Sequence, residues 1–203
     1  SYGRDLEEEI TLLDAINAVS EVEGIKRVRL GSLEQGIMTE EFVKVLAENK
    51  KFCPHFHLSL QSGSAETLKR MNRHYTAEQY RERCDIIRKY YKKPAFTTDV
   101  IVGFPGETAE EFAETKKFLK DIAFAEMHIF KYSKRQGTLA EKMENQVDDN
   151  TKAHRSEELI ALGEQLKECY RSSFVGEEKE VLMEETMIID GDEYFVGHTM
   201  EYL

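Results

Sequence analysis

The apolar residues of this 203-residue chain change period repeatedly, and that alternation narrows the fold more than any other feature. Spacings of three and four mark helices over residues 6–22, 39–47, 64–71, 108–122 and 151–174, with another starting at 76. Short β-like runs lie between them at residues 26–33, 55–60, 95–104 and 127–132. Two helix starts have capping-box spacing, Thr76 with Gln79 and Thr108 with Glu111. Strands alternating with helices imply right-handed βαβ crossovers and a parallel sheet, which is an α/β fold. An open doubly wound sheet and a full or partial β/α barrel both have this order.

The strand faces favour one of them. Phe56, Leu58 and Leu60 share one face of their strand, while His55, His57, Ser59 and Gln61 share the other. In the next strand Val100, Val102 and Phe104 oppose Thr97, Asp99, Ile101 and Gly103. Central strands of an open α/β sheet are apolar on both faces, because helices cover both. One apolar and one polar face instead predicts a partial, TIM-like (β/α) barrel with helices outside and a polar, occupied lumen. A packed lumen would be layered with branched apolar side chains. After residue 173 the pattern becomes short apolar runs broken by Asp190-Gly191-Asp192, a hairpin signature. The division expected is therefore a barrel over residues 1–173 and a small β appendage over 174–203.

Charge is distributed unevenly. The chain carries 28 Lys and Arg against 39 Asp and Glu, a net −11 that on average argues against nucleic acid. Residues 69–93, however, hold nine basic residues and three acids, a local +6, whereas residues 174–203 sum to −8. No apolar run approaches a membrane span, and the chain reads as soluble and cytoplasmic, with no membrane partner. Cys53, Cys84 and Cys169 are too far apart to suggest a disulfide framework or a zinc site.

Ligands of parallel α/β folds lie at the carboxyl ends of the strands. Here those ends are polar: Gly31-Ser32-Leu33-Glu34, Gln61-Ser62-Gly63-Ser64, Gly103-Phe104-Pro105-Gly106-Glu107 and Tyr132-Ser133-Lys134-Arg135. Gly103 and Gly106 permit close backbone approach, and the helix from Thr108 aims its amino terminus at the same place. Asp99, inside an apolar strand, needs a hydrogen-bonding partner, for which ribose hydroxyls would serve. Gln61 has an amide for the same purpose, and Arg73 suits a carboxylate. His55 and His57 point the same way, but without a neighbouring Cys or acid in sequence they read as lumen hydrogen-bonding groups rather than metal ligands. Met127 and His128 give no signal. No Ser or Cys sits in an elbow that would support a nucleophile–His–acid triad.

At these residues the sequence resembles the radical S-adenosylmethionine (SAM) methylthiotransferases. The resembling segments are His57-Leu-Ser-Leu-Gln-Ser-Gly-Ser64, Leu68-Lys-Arg-Met-Asn-Arg73, Thr98-Asp-Val-Ile-Val-Gly-Phe-Pro-Gly-Glu-Thr108 and Phe130-Lys-Tyr-Ser-Lys-Arg-Gln-Gly-Thr138. Gly197-His-Thr-Met-Glu-Tyr202 is similar to a hallmark of the TRAM domain, the small β-barrel that follows in that family. Arg29-Leu-Gly-Ser-Leu-Glu34 and Cys53-Pro-His-Phe-His57 look most like the branch that adds methylthio at C2 of threonylcarbamoyl-adenosine beside the tRNA anticodon. Gln35 stands where that branch usually has Pro. The resemblance implies a SAM site with Gln61 and Asp99 on ribose and Arg73 on the methionine carboxylate. Ile101, Gly103 and Phe104 would pack the adenine, and backbone from Phe130 to Tyr132 would close the edge.

One family feature is missing. The Cys-x3-Cys-x2-Cys that holds the SAM-cleaving 4Fe-4S cluster does not occur, nor does the domain carrying a second cluster. Ser1-Tyr-Gly matches the end of the family's second barrel strand, so the expectation is part of a longer enzyme, cut again within its TRAM domain. Such a part would keep much of the SAM pocket and no catalytic residue, and neither bind a cluster nor cleave SAM. The implied partner is the tRNA anticodon stem-loop, met by Lys69, Arg70, Lys131, Lys134 and Arg135. Alternatives are the branches acting on isopentenyl-adenosine or on a ribosomal-protein aspartate, a non-catalytic tRNA-binding module, and an unrelated barrel enzyme whose Gly106 turn binds phosphate.

Overall fold

Most helices begin where a side chain satisfies the free amides of the first turn. The structure, a computed structural model, describes residues 10–203. Helix α1 (Leu12–Glu21) starts at Thr11, α4 (Ala77–Tyr90) at Thr76 and α5 (Ala109–Ile122) at Thr108, each closed by a reciprocal capping box. The box at Thr11 and Asp14 adds to the two read from spacing. Helix α2 (Glu40–Glu48) is capped by Thr39, and α6 (Asp149–Ser172) by Asp148, which accepts from the Thr151 amide at 2.9 Å. Helix α3 (Ala65–Arg70) is a short piece between them. The helix expected over 6–22 begins later, at Leu12, and the part of that expectation at residues 6–9 lies outside the described residues, as does Ser1-Tyr-Gly.

The strands are β1 (His55–His57), β2 (Ala95–Val102) and β3 (Glu126–Lys131), in the order β1-β2-β3 and parallel throughout. β1 is shorter than the 55–60 run. Beyond His57 the ladder becomes irregular: the Leu60 amide donates to Thr98 Oγ1 at 3.0 Å, where a main-chain carbonyl would stand in a regular pair. Pairing returns at Gln61, whose amide donates to the Asp99 carbonyl at 2.9 Å. The 26–33 run forms no regular strand either. It makes parallel bridges only at its ends, Val28 with Phe52 and Leu33 with Leu58.

Burial follows the period-two pattern. Phe56, Leu58, Leu60, Val100 and Val102 are wholly inaccessible and pack against Tyr80, Cys84 and Ile87 of α4, Phe118, Leu119 and Ile122 of α5, and Leu159 of α6. Each such large side chain is worth about 1.5–3 kcal/mol relative to leaving it in water. Tyr80 is buried with them because its hydroxyl donates to the Leu58 carbonyl at 2.8 Å. The opposite face carries His55, His57, Thr97, Asp99, Ile101, Glu126, His128 and Phe130. Among the described residues the result is a three-stranded parallel sheet, helix-covered on one face and polar on the other.

Strands β4 (Leu182–Ile189) and β5 (Asp192–His198) form the antiparallel hairpin foreseen from composition, turning through Asp190 and Gly191 at φ of 53° and 93°. A Cβ on Gly197 would lie 1.8 Å from the Leu182 carbonyl oxygen, so only glycine fits there. The chain end then folds back on the sheet. Tyr202 stacks between His198 and His55, at centroid distances of 4.6 and 4.4 Å, with the Arg29 guanidinium 4.8 Å from its ring. No helix among the described residues is long and apolar enough to cross a membrane.

Candidate functional site

The carboxyl ends of β1 and β2 are stitched together at Gln61. Its amide donates to Asp99 and its carbonyl accepts from Ile101, each at 2.9 Å, while its own backbone sits at φ 70°. A non-glycine residue in that region is uncommon, and here hydrogen bonds on both sides hold it. The backbones of Gln61, Asp99 and Ile101 are thereby brought together at the end of the sheet. Arg73 is exposed, and its guanidinium makes no hydrogen bond among the described residues. It lies near Tyr75, whose hydroxyl donates to the carbonyls of Ser59 and Leu60 at 3.2 and 2.9 Å.

The turn after β2 is the most tightly built part. Gly103 adopts φ 70°, and a Cβ there would meet Lys152 Cγ at 2.3 Å. Its amide donates to Glu107 Oε2 at 2.7 Å, and the same oxygen accepts from Arg155 Nη1 at 2.6 Å. Burial pushes the Glu107 carboxyl above its ordinary range, while the Gly103 amide and Arg155 pull the other way. Phe104 packs edge-on against Tyr132, centroids 5.3 Å apart, and the Tyr132 amide donates to the Val102 carbonyl at 2.8 Å. The buried Tyr132 hydroxyl has no hydrogen-bond partner among the described residues. Phe130 is half exposed on the polar face.

Beside Tyr132 opens a cleft of about 930 Å³ lined by Lys131, Ser133, Lys134, Asp148 and Lys152. Lys131 and Lys134 are exposed there, and Arg135 and, on α3, Lys69 are exposed as well. Arg70 is not free: Glu111 takes its guanidinium in a bidentate pair, with Thr67 alongside. The Glu111 carboxyl, though partly buried, is held below its usual range by hydrogen bonds from Arg70, the Thr108 amide and Thr67. The +6 window as a whole is largely neutralised. Arg81 pairs with Asp121, Arg88 with Asp85, Lys89 with Glu40 and Lys93 with Glu177. Most of those acids come from other elements, so charge counted along the chain overstates this surface.

Two groups escaped the sequence reading. Arg155 and Lys152, one turn apart on α6, brace the Gly103 turn from more than forty positions away. His128, which gave no signal, faces the same side as His57 and Asp99, and the donor atoms of the three lie within 4.8 Å of one another. Strand parity with Phe130 was the available clue. His55 and His57 do serve as hydrogen-bonding groups, each 3.0 Å from Thr97 Oγ1.

Residues 1–119 match the family described as the radical SAM superfamily. A threonylcarbamoyladenosine tRNA methylthiotransferase of Bacillus subtilis is 44% identical over all of this chain and 45% of its own length. A tRNA-2-methylthio-N(6)-dimethylallyladenosine synthase of Clostridium botulinum is 38% identical over 92% of the chain and 41% of its own. The chain thus spans less than half the length of these relatives. Coproporphyrinogen III oxidase of Escherichia coli, a radical SAM enzyme, superposes with a TM-score of 0.58 at 19% identity, over 69% of this chain and 32% of the other, a likeness of fold.

Proposed function

Because this chain belongs to the radical SAM superfamily, we propose that it works as part of a tRNA methylthiotransferase that acts on threonylcarbamoyl-adenosine. The observation that carries this reading is 44% identity along the whole chain to a protein bearing that name. The isopentenyl-adenosine reading has lower identity and covers less of the chain.

The residues of this chain fit SAM. Asp99 and Gln61 would hold ribose hydroxyls, Arg73 the methionine carboxylate, and Ile101, Gly103 and Phe104 the adenine, with Phe130 and Tyr132 along its edge. The unpartnered Tyr132 hydroxyl offers a hydrogen bond. Bound there, SAM would supply the adenosyl group on which this superfamily's chemistry depends. The same residues do not fit an iron–sulfur cluster. Cys53 and Cys84 are buried, Cys169 is exposed, and no three thiols converge among the described residues. Burial pushes both buried thiols up, Cys84 to about 12, which disfavours the thiolate a metal requires.

In this reading Lys131, Lys134 and Arg135, with Lys69, meet tRNA phosphates in the cytoplasm, and the β4–β5 hairpin is the start of a TRAM domain. Nucleoside mass spectrometry of tRNA from cells lacking the gene tests it. Methylthio should vanish from threonylcarbamoyl-adenosine and persist on isopentenyl-adenosine. The reverse pattern would transfer the chain to the other branch.

A further inference from the structure

We propose that His57, Asp99 and His128 form a binding site for a borderline divalent metal ion of the zinc or cobalt kind. The site sits on the polar face of the sheet, and the proposal does not rest on the methylthiotransferase reading.

The three side chains come from three adjacent strands. Asp99 and His128 are register partners, and His57 pairs with Thr97, two positions before Asp99 on the same face. Two imidazoles and one carboxylate, without sulfur, suit zinc, cobalt or nickel better than calcium or magnesium. Ligand atoms around a tetrahedral ion with bonds of roughly 2.0–2.2 Å stand about 3.3–3.6 Å apart. His57 Nε2 and Asp99 Oδ2 are already separated by 3.4 Å. The remaining atom belongs to His128, which is exposed and within 4.8 Å of both, so rotation of its ring completes the set.

The surroundings orient the ligands. Thr97 Oγ1 lies 3.0 Å from His57 Nδ1, which fixes the ring and turns Nε2 towards Asp99. The same hydroxyl lies 3.0 Å from His55 Nε2 and has only one proton to give. When the His57 Nδ1 proton goes to Thr97, a neutral His57 presents a lone pair to a carboxylate oxygen. Two acceptors then face each other, and a cation between them removes the conflict. An adjoining cavity of about 340 Å³, lined by His57, His128, Thr97, Glu126 and Arg29, leaves room for a water or substrate atom in the fourth position. Only Asp99 Oδ2 is engaged by His57, so its other oxygen stays available to a ribose.

Cobalt(II) titration of the full chain, freed of any purification tag, tests the proposal through the visible absorption of the bound ion. One equivalent should bind with the intense bands of four- or five-coordination. His128→Ala, at an exposed position, and His57→Gln should each weaken binding at least tenfold, with the thermal transition of the metal-free protein retained. His74→Ala, on a surface loop, should bind as the parent does. Equal cobalt binding by the parent, His57→Gln and His128→Ala would overturn the site, as would absence of one-equivalent binding. SAM binding measured on the same variants separates this result from the fate of the SAM reading.

Discussion

Gln61 and Asp99 are joined through their backbones, the amide of one donating to the carbonyl of the other at 2.9 Å, although 38 positions separate them. The return bond from the Ile101 amide holds Gln61 at φ 70°. The relative positions of these two residues are thus set by main-chain geometry.

Asp99→Asn should weaken SAM binding by about tenfold or more, because a charge-assisted hydrogen bond is worth roughly 1.5–3 kcal/mol. Isothermal titration of the chain with SAM checks it. A change below twofold would remove Asp99 from the ribose.

Gly103→Ala should destabilise the turn after β2 twice over, through the positive φ and through contact with Lys152 Cγ. The expected loss is about 1–3 kcal/mol in urea unfolding. Adding Lys152→Ala should recover the steric part and leave the backbone part. Full recovery would show that φ at this position costs nothing.

Arg155→Met leaves Glu107 buried with only the Gly103 amide to compensate its charge, and should cost about 3–5 kcal/mol. Pairing it with Glu107→Gln should restore part of that loss, since a neutral amide no longer needs a cation. Thermal melts of the two single variants and the double variant form the cycle. Additive losses would mean that the two residues act independently.

His55 provides a pH dependence. Burial first, and the neighbouring Arg29 charge second, push its pKa down to about 4 from the usual 6.5. The unfolded chain takes up a proton near pH 6.5 that the folded chain refuses until about pH 4. Stability attached to this residue is therefore full above pH 6.5 and falls as the pH drops towards 4. Between pH 7.5 and 5 the loss should be on the order of 1–2 kcal/mol. Chemical unfolding at both pH values checks it, and His55→Gln should flatten the difference. An unchanged slope in that variant would place the effect elsewhere.

The parts of the site that were legible in the sequence were those that lie within one strand and its turn. Asp99, Ile101, Gly103 and Phe104 lie on one short stretch, and alternation alone assigned their faces. Arg70 was not legible, because Glu111, which occupies it, belongs to a different helix 41 positions away. The regular strand expected over 55–60 stops at His57 for a similar reason. Thr98 of the neighbouring strand supplies a hydroxyl in place of a main-chain partner.

The sequence by itself determined the α/β order, the helix caps, the two faces of the sheet and the hairpin turn at Asp190-Gly191. These depend on backbone periodicity and on side chains bonding amides three positions away, so they are written within a few residues. Only the tertiary structure decided strand register, the neutralisation of the basic window, the bracing of Gly103 by Arg155 through Glu107, and the meeting of His57, Asp99 and His128. Each of these joins residues far apart in the chain. Such pairs become neighbours only when burial of the helix-facing side chains sets how the strands align, and local pattern does not specify that alignment.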